Sequence, residues 1–295
     1  MENELHLSKI YFMRNPRVLT IQDYSEIGRC SLTVALPIIS AMGVQCVGMP
    51  TALFSNHTAY PSWRAKDLTE EIAPTVAKWK ELGEDHFDVI YVGYLTTKQI
   101  PVVEEAIKSI RKKGTIVFID PAFGDNGKLY PGFGEEHVEA MKGLLKMADF
   151  AKPNVTEAML LTGTCKEPKD EKDAINLAKQ VKSLGPKDLI LTGLTYNDGA
   201  QLVYDSASDQ FFQGETVPGW FHGTGDVFSS VVAGGFALGL SSAKIIPIDQ
   251  VFITESLKYN LSDNVPAVEG PCFEKAIPHL ISNLNKLLDS ERQFK

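Results

Sequence analysis

The feature that most constrains the fold is a repeated alternation of short apolar runs with longer segments of helical spacing. Four runs have the length and β-branched character of buried strands, at residues 17–22, 88–93, 115–120 and 188–192. A regular alternation of strands and helices is typical of a mostly parallel sheet that is covered on both faces. The sequence therefore predicts an α/β fold with a parallel central sheet.

The segments between these runs predict the helices and a few further strands. Ser31 is expected to cap the first helix, and Ala200–Tyr204 and Gln210–Val217 are expected to form a small antiparallel β ribbon. No repeat or linker interrupts the pattern, so we predict one domain over residues 1–295. Further strands are expected at residues 45–54 and 149–152, and helices at residues 32–42, 69–82, 98–113, 134–147, 154–162, 171–184, about 224–240, 248–262 and 273–289.

The composition argues against nucleic-acid and membrane partners. Lys and Arg number 29 against 37 Asp and Glu, a formal net charge of −8, whereas nucleic acids and anionic membranes attract basic patches. The apolar stretch near residues 227–240 is too short to span a bilayer, and residues 1–15 lack the apolar core of a signal peptide. The four cysteines have no metal-like spacing, which favours reduced thiols in a cytoplasmic protein.

A glycine-rich turn, Gly223-Thr224-Gly225-Asp226, precedes a run of small and apolar residues with the spacing of a buried helix. The start of such a helix binds anions through its unpaired N–H groups and partial positive charge. A carboxylate at the start of the helix would compete with a bound phosphate for these N–H groups. We therefore interpret Asp226 as a group that removes a proton from a substrate next to the phosphate. The alternative is an acid that simply caps the helix. The spacing matches neither a P-loop nor a dinucleotide-binding fingerprint.

Polar or glycine-bearing positions follow five of the predicted strands. In open α/β sheets, ligands bind at the carboxyl ends of the strands. We therefore expect these positions to share one edge of the sheet with the glycine-rich turn: Asp23, Gly93-Tyr94, Asp120, residues 152–154 and residues 192–193.

Three oxygen-bearing side chains at this edge suit a hard cation. Asp120 ends a buried strand, and Asn154 and Glu157 share the first turn of a predicted helix. Such ligands suit Mg²⁺ that bridges phosphates. The alternative is a capping box formed by Asn154 and Glu157, and the two roles are compatible. Together with the anion site and Asp226, this equipment favours phosphoryl transfer from a nucleotide to a hydroxyl group.

The chain resembles the pyridoxal (pyridoxamine) kinase family of the ribokinase-like superfamily over nearly its whole length. The residues that carry the resemblance are Ile21-Gln22-Asp23 with Gly28, Phe54-Ser55-Asn56-His57-Thr58, Gly93-Tyr94-Leu95, Asp120-Pro121, Pro153-Asn154-Val155-Thr156-Glu157 and Gly223-Thr224-Gly225-Asp226. The resemblance implies a ribokinase-like, ATP-dependent kinase of the 5′-hydroxymethyl group of pyridoxal, pyridoxamine or pyridoxine. It also implies a homodimer that uses Mg²⁺, often with a monovalent cation such as K⁺.

The same resemblance implies roles for individual residues. Asp226 would be the base, with Gly223, Thr224 and Gly225 as the anion hole. Asp120 and Glu157 would act at the Mg·ATP phosphates, with Asn154 beside them and Thr192 nearby. The pyridine ring would be lined by His57, Thr58 and Tyr94, although the residues alone favour an exposed loop for His57.

Two positions depart from the family pattern. Asp23 stands near the expected ring site, where many pyridoxal kinases have Ser, and Gly193 stands where some members have a nucleotide-contacting Lys. One alternative is a hydroxymethylpyrimidine kinase of thiamine synthesis, although many of these have Cys in the place of Asp226. Another is a vitamer-binding protein without catalytic activity, because a fold alone does not guarantee function.

Overall fold

The computed structural model describes residues 15–196 and 201–293. The prediction that residues 1–15 lack a signal-peptide core falls almost entirely on residues 1–14, which lie outside the described residues. Ala200, the first residue of the predicted ribbon, lies outside them as well. Within the described ranges, no helix is both long enough and apolar enough to cross a membrane.

The central sheet has nine strands in the described part of the chain: β1 Arg17–Ser25, β2 Gln45–Phe54, β3 Ala65–Asp67, β4 Val89–Val92, β5 Ile116–Ile119, β8 Phe150–Ala151, β9 Asp188–Thr195, β10 Gln201–Asp205 and β11 Gln210–Gln213. Two short strands, β6 Gly124–Asp125 and β7 Lys128–Leu129, form a separate hairpin. The sheet order is β11-β10-β9-β8-β5-β4-β1-β2-β3. The six middle strands are parallel, and β10 and β11 form the predicted antiparallel ribbon at one edge.

Helices cover both faces of the sheet, as the alternation predicts. They are α1 Leu32–Ala41, α2 Thr69–Glu81, α3 Ile100–Ile110, α4 Glu135–Leu145, α5 Val155–Thr162, α6 Glu171–Lys182, α7 Thr224–Ala237, α8 Ser242–Ser262 and α9 Phe273–Gln293. One hydrophobic cluster joins the sheet to α2–α6, and a second joins it to α1, α7, α8 and α9. Because both faces are covered, β4 is buried at all four positions and β5 is apolar throughout.

The helix α7 is the most tightly enclosed of the helices around the site. Every residue from Val227 to Phe236 is buried. A Cβ atom on Gly234 would lie 2.6 Å from the sulfur of Met42, and one on Gly235 would lie 2.6 Å from Ile245. These two glycines therefore let α7 approach α1 and α8 more closely than any side chain would permit.

The structure corrects the sequence prediction at several element ends. The first strand continues to Ser25, so Asp23 lies inside β1 and not in a turn. The helix α8 begins at Ser242, and Pro247 lies within it. The short strands β3, β6 and β7 were not predicted, because two or three residues show no usable periodicity.

Candidate active site

A cavity of about 800 Å³ opens at the carboxyl ends of the parallel strands, beside the first turn of α7. Parallel strands direct their carboxyl ends to the same edge, which is where open α/β sheets bind ligands. All of the side chains and glycines proposed for the site from the sequence line this one cavity: Asp23, His57, Thr58, Tyr94, Asp120, Asn154, Glu157, Thr192, Gly223, Thr224, Gly225 and Asp226.

The glycine-rich turn forms the N-terminus of α7. Gly223 has a φ of 79°, and a Cβ atom there would lie 2.1 Å from the carbonyl oxygen of Arg29. Only glycine therefore fits this position. The first backbone hydrogen bond into the turn runs from the N–H of Val227 to the carbonyl of Gly223 at 3.1 Å. The N–H groups of residues 223–226 precede that bond, so they have no acceptor within the helix and suit an anion.

Asp226 lies half-buried in the first turn of α7. Burial raises the pKa of its carboxyl group to about 7. The backbone of Ser31 acts in the opposite direction and lowers this pKa. The nearby charges of Asp120 and Asp23 add to the rise. A pKa near 7 suits a group that accepts a proton at neutral pH.

A buried ion pair lies beside this turn. Nζ of Lys152 is 3.0 Å from Oδ2 of Asp120, and each side chain is only 5% exposed. The hydroxyl of Ser229 on α7 donates to the same oxygen at 2.7 Å. Burial alone would lower the pKa of Lys152, but the charges of Asp120 and Glu157 hold it above its ordinary value. Lys152 therefore carries a fixed positive charge in the cavity wall.

Asn154 and Glu157 form a capping box, which the sequence offered as the alternative to a Mg²⁺ site. The side-chain oxygen of Asn154 accepts from the N–H of Glu157, and the Glu157 carboxylate accepts from the N–H of Asn154, both at 2.8 Å. Burial, with the nearby charge of Asp120, raises the pKa of Glu157 to about 8. Within the described ranges, no three His, Cys, Asp or Glu side chains converge on a metal position. Asp120 and Glu157 are nevertheless two neighbouring carboxyl groups of the kind that hard cations bind.

Asp23 points into the cavity from β1 and is only 4% exposed. Its two carboxylate oxygens accept from the hydroxyls of Ser31 at 2.6 Å and Ser25 at 2.8 Å. Burial raises the pKa of Asp23, whereas these two hydrogen bonds lower it. The prediction that Ser31 caps α1 is wrong, because its hydroxyl makes no cap and donates to Asp23 instead.

His57 is buried at the same end of the cavity, although the residues alone favoured an exposed loop. Its Nδ1 accepts from the N–H of Ala59 at 3.2 Å, which assigns the proton to Nε2, facing the carbonyl of Val268 at 2.5 Å. A Cβ atom on Gly28 would lie 2.1 Å from the His57 ring, so the ring packs directly on the backbone. Thr58 is exposed at the cavity rim.

Tyr94 completes this end of the cavity. Its ring lies 5.7 Å from that of Phe133, and burial, with the charge of Asp23, raises its pKa to about 12. The opposite end of the cavity contains Thr192 and Gly193. Thr192 forms an isolated β-bridge with Asn154, and Gly193 has a φ of 75°. Apolar side chains continue this end as a slot, formed by Val203, Val217, Ile253 and Leu257.

Sequence reasoning missed three residues that the structure adds to the site. Lys152 was visible only as a polar position after a strand, since its partner Asp120 is distant in the sequence. Trp220 and His222 also line the cavity, with their rings 4.0 Å apart. The His222 ring lies 5.4 Å from that of His57, an arrangement that no local pattern signals.

The fold and the site are those of a ribokinase-like phosphotransferase, and comparison with known proteins agrees. The chain belongs to the phosphomethylpyrimidine kinase family, whose model matches residues 36–271. The pyridoxal kinase of Dictyostelium discoideum is 26% identical, with 95% of this chain and 98% of that protein covered. The hydroxymethylpyrimidine/phosphomethylpyrimidine kinase of Aquifex aeolicus is 34% identical over 63% of this chain and 74% of its own.

A solved structure gives the same result for the fold. A phosphomethylpyrimidine kinase homologue from Bacteroides thetaiotaomicron, crystallised with pyridoxal, superimposes with a TM-score of 0.84 at 32% identity. The match covers 90% of this chain and 96% of that one. The predicted fold and the predicted relationship to pyridoxal kinases are both confirmed.

Proposed function

We propose that this protein is a pyridoxal kinase, which transfers the γ-phosphoryl group of ATP to the 5′-hydroxymethyl group of a B6 vitamer. The observation that carries the proposal is the position of Asp226. A carboxyl group with a pKa of about 7 stands at an anion-binding helix start, between a polar, aromatic subsite and an apolar slot. Its family and its pyridoxal kinase relatives support the same reaction.

In the reaction, Asp226 accepts the hydroxyl proton as the vitamer oxygen attacks the γ-phosphorus. The bond from that phosphorus to the bridging oxygen of ADP breaks. The N–H groups at Gly223, Thr224 and Gly225 hold the oxygens of the transferring group, where charge accumulates. These donors belong to a rigid helix end, so little reorganisation is needed during the step.

The vitamer is assigned to the end of the cavity that contains Asp23, His57, Thr58 and Tyr94. The nucleotide is assigned to the other end, with Thr192 beside its phosphates and the apolar slot around its base. Mg²⁺ would supply positive charge that neutralises the phosphates. Asp120 and Glu157 are the carboxyl groups that would hold it, although the Glu157 oxygens already accept from the N–H groups of Asn154 and Phe123. Both groups of the Asn154 amide are likewise engaged within the protein. A K⁺ requirement follows from the family resemblance alone.

A hydroxymethylpyrimidine substrate is the second candidate, because the Aquifex aeolicus relative carries that activity in its name and the family is named after phosphomethylpyrimidine kinase. Both substrates present a hydroxymethyl group on an aromatic nitrogen ring, so the same base and anion hole would serve either. A vitamer-binding protein without catalysis is disfavoured by the presence of Asp226 at the anion hole.

The family resemblance also supports a homodimer, with one kinase domain per chain. The continuous nine-stranded sheet of the described residues agrees with one domain. A cytoplasmic location agrees with the four cysteines, all of which are free thiols.

A substrate panel tests the proposal. Purified protein is supplied with Mg·ATP and with pyridoxal, pyridoxamine, pyridoxine or hydroxymethylpyrimidine, and the phosphorylated product is measured. We expect the highest kcat/KM with a B6 vitamer and loss of turnover in Asp226→Asn. A preference for hydroxymethylpyrimidine would establish the second candidate, and vitamer binding without any turnover would establish the binding protein.

A further inference from the structure

We propose that Lys152 is a further catalytic residue, which holds the transferred phosphoryl group against the N-terminus of α7. This inference rests on the proposed kinase function, and the experiment below separates the failure of one from the failure of the other.

The position of Lys152 brings its ammonium group to the anion hole. Its backbone N–H donates to the carbonyl of Ile119 at 2.9 Å, which continues the pairing of β8 with β5 to the cavity edge. The side chain is buried and lines the cavity. A Cβ atom on Gly225 would lie 3.4 Å from Nζ, an ordinary van der Waals distance. The ammonium group therefore lies directly against the turn that carries the anion-binding N–H groups.

The charges around the cavity explain why a cation is needed there. Six carboxyl groups line it, those of Asp23, Asp120, Asp125, Glu157, Glu215 and Asp226. Among the described residues of the lining, Lys152 is the only Lys or Arg. A phosphoryl group that carries negative charge would otherwise meet a lining of carboxyl groups with no Lys or Arg among them, and Lys152 supplies the positive charge.

The hydrogen-bonding capacity of Lys152 is not exhausted by its protein partner. An ammonium group has three N–H donors. Asp120 is its one ion-pair partner in the described ranges, so donors remain for a ligand in the cavity. A buried ion pair is seldom retained for stability, because its desolvation cost often exceeds the attraction between the charges. A functional role accounts for its presence beside the anion hole.

The reaction defines which ligands Lys152 should contact. As the oxygen–phosphorus bond forms and the bond to ADP breaks, Lys152 keeps its protons and neutralises the nonbridging oxygens. Those oxygens leave on the product as its 5′-phosphate. Lys152 should therefore contact the γ-phosphate of ATP and the phosphate of the product, but neither ADP nor the unphosphorylated vitamer.

Calorimetric titration without Mg²⁺ tests this pattern with pyridoxine 5′-phosphate, pyridoxine, ATP and ADP as ligands. In Lys152→Met, the affinities for pyridoxine 5′-phosphate and ATP should fall about 10- to 100-fold, the value of a charge-assisted hydrogen bond, while those for pyridoxine and ADP change little. The kcat should fall as well, and Lys152→Arg should restore part of the phosphate affinity. Lys187→Met is the matched control, because Lys187 is 72% exposed and pairs with Asp149 away from the cavity.

Lys152→Gln covers the case in which Lys152→Met folds poorly, since it keeps an N–H donor for Asp120. Within one variant, the ratio of the affinity for pyridoxine 5′-phosphate to the affinity for pyridoxine does not depend on how much of the protein is folded. An unchanged ratio, or an equal loss for all four ligands, would overturn the catalytic assignment and leave Lys152 as a structural partner of Asp120. A wild-type protein that phosphorylates no vitamer would instead overturn the proposed function.

Discussion

The replacement Asp226→Asn should remove most of the activity and, at the same time, stabilise the fold. Asn keeps the shape of the side chain and can accept the Ser31 backbone N–H, but it cannot take up the hydroxyl proton. Loss of a general base typically lowers kcat by about 10²–10⁴. Because the side chain keeps its shape, we expect the affinity for the vitamer to change far less.

The gain in stability follows from the raised pKa of Asp226. The folded protein ionises this group at about 7, whereas an unperturbed Asp has a pKa of 3.8. Between these values the folded state binds the proton more tightly than the unfolded state, so stability falls as the pH rises. Each unit of pKa shift corresponds to about 1.4 kcal/mol, so the full shift of Asp226 lowers the free energy of unfolding at high pH by about 4 kcal/mol. Because the half-buried group is partly screened by solvent, we expect about 1–3 kcal/mol.

Thermal unfolding at pH 8 and pH 5, together with kcat, measures both effects. The variant should melt several degrees above the wild type at pH 8, and the difference should shrink at pH 5. Asp249→Asn is the matched control. Asp249 is fully buried on α8, its carboxylate has no hydrogen-bond partner among the described residues, and it does not line the cavity.

The control should gain stability and keep its activity, since burial raises the pKa of Asp249 well above its ordinary value. The reasoning would be refuted by an Asp226→Asn variant that melts below the wild type at pH 8, or by one with near-normal turnover.

Three further predictions concern the same cavity. The kcat/KM should fall about tenfold per pH unit below pH 7 as Asp226 becomes protonated, and a flat profile from pH 5.5 to 8 would count against it as the base. Glu157→Gln keeps an acceptor for the Asn154 N–H but cannot ionise to a carboxylate when Mg²⁺ binds, so activity should need more Mg²⁺; an unchanged Mg²⁺ titration would leave only the capping role. Asp23→Ser should lower the kcat/KM of pyridoxamine relative to pyridoxal by about 10- to 100-fold, because a charge-assisted hydrogen bond is lost. An unchanged ratio would assign Asp23 to Ser25 and Ser31 alone.

The fold was predictable because its largest elements have strong periodicity. The strands 88–93 and 115–120 and the helix between them, 98–113, correspond to β4, β5 and α3, displaced by one to three residues at their ends. The rim of the cavity was predictable for the same reason, since the end of each parallel strand could be located. The edge strand β3 has three exposed residues, and neither period nor burial distinguishes it from a loop.

Long-range partners account for most of what the sequence did not predict. Ser31 looks like a helix cap because local rules favour Ser before an apolar helix. Its hydroxyl instead donates to Asp23, whose burial makes an unpaired carboxylate costly. The pairing of Lys152 with Asp120 likewise depends on adjacent strands that are separated by a complete helix. Pairs of this kind become visible only when the sheet order is known.

The close packing of α7 has a consequence for motion during the catalytic cycle. At Gly235 the backbone of α7 packs against Ile245 of α8, where a Cβ atom would lie 2.6 Å from that side chain, so we expect α7 to resist sliding along its axis. Its backbone amides should therefore be among the slowest of the protein in hydrogen exchange, and substrates should alter them little. We therefore expect adjustments on binding in the loops at residues 55–64 and 214–222, parts of which line the cavity, while the phosphoryl-transfer point stays in place.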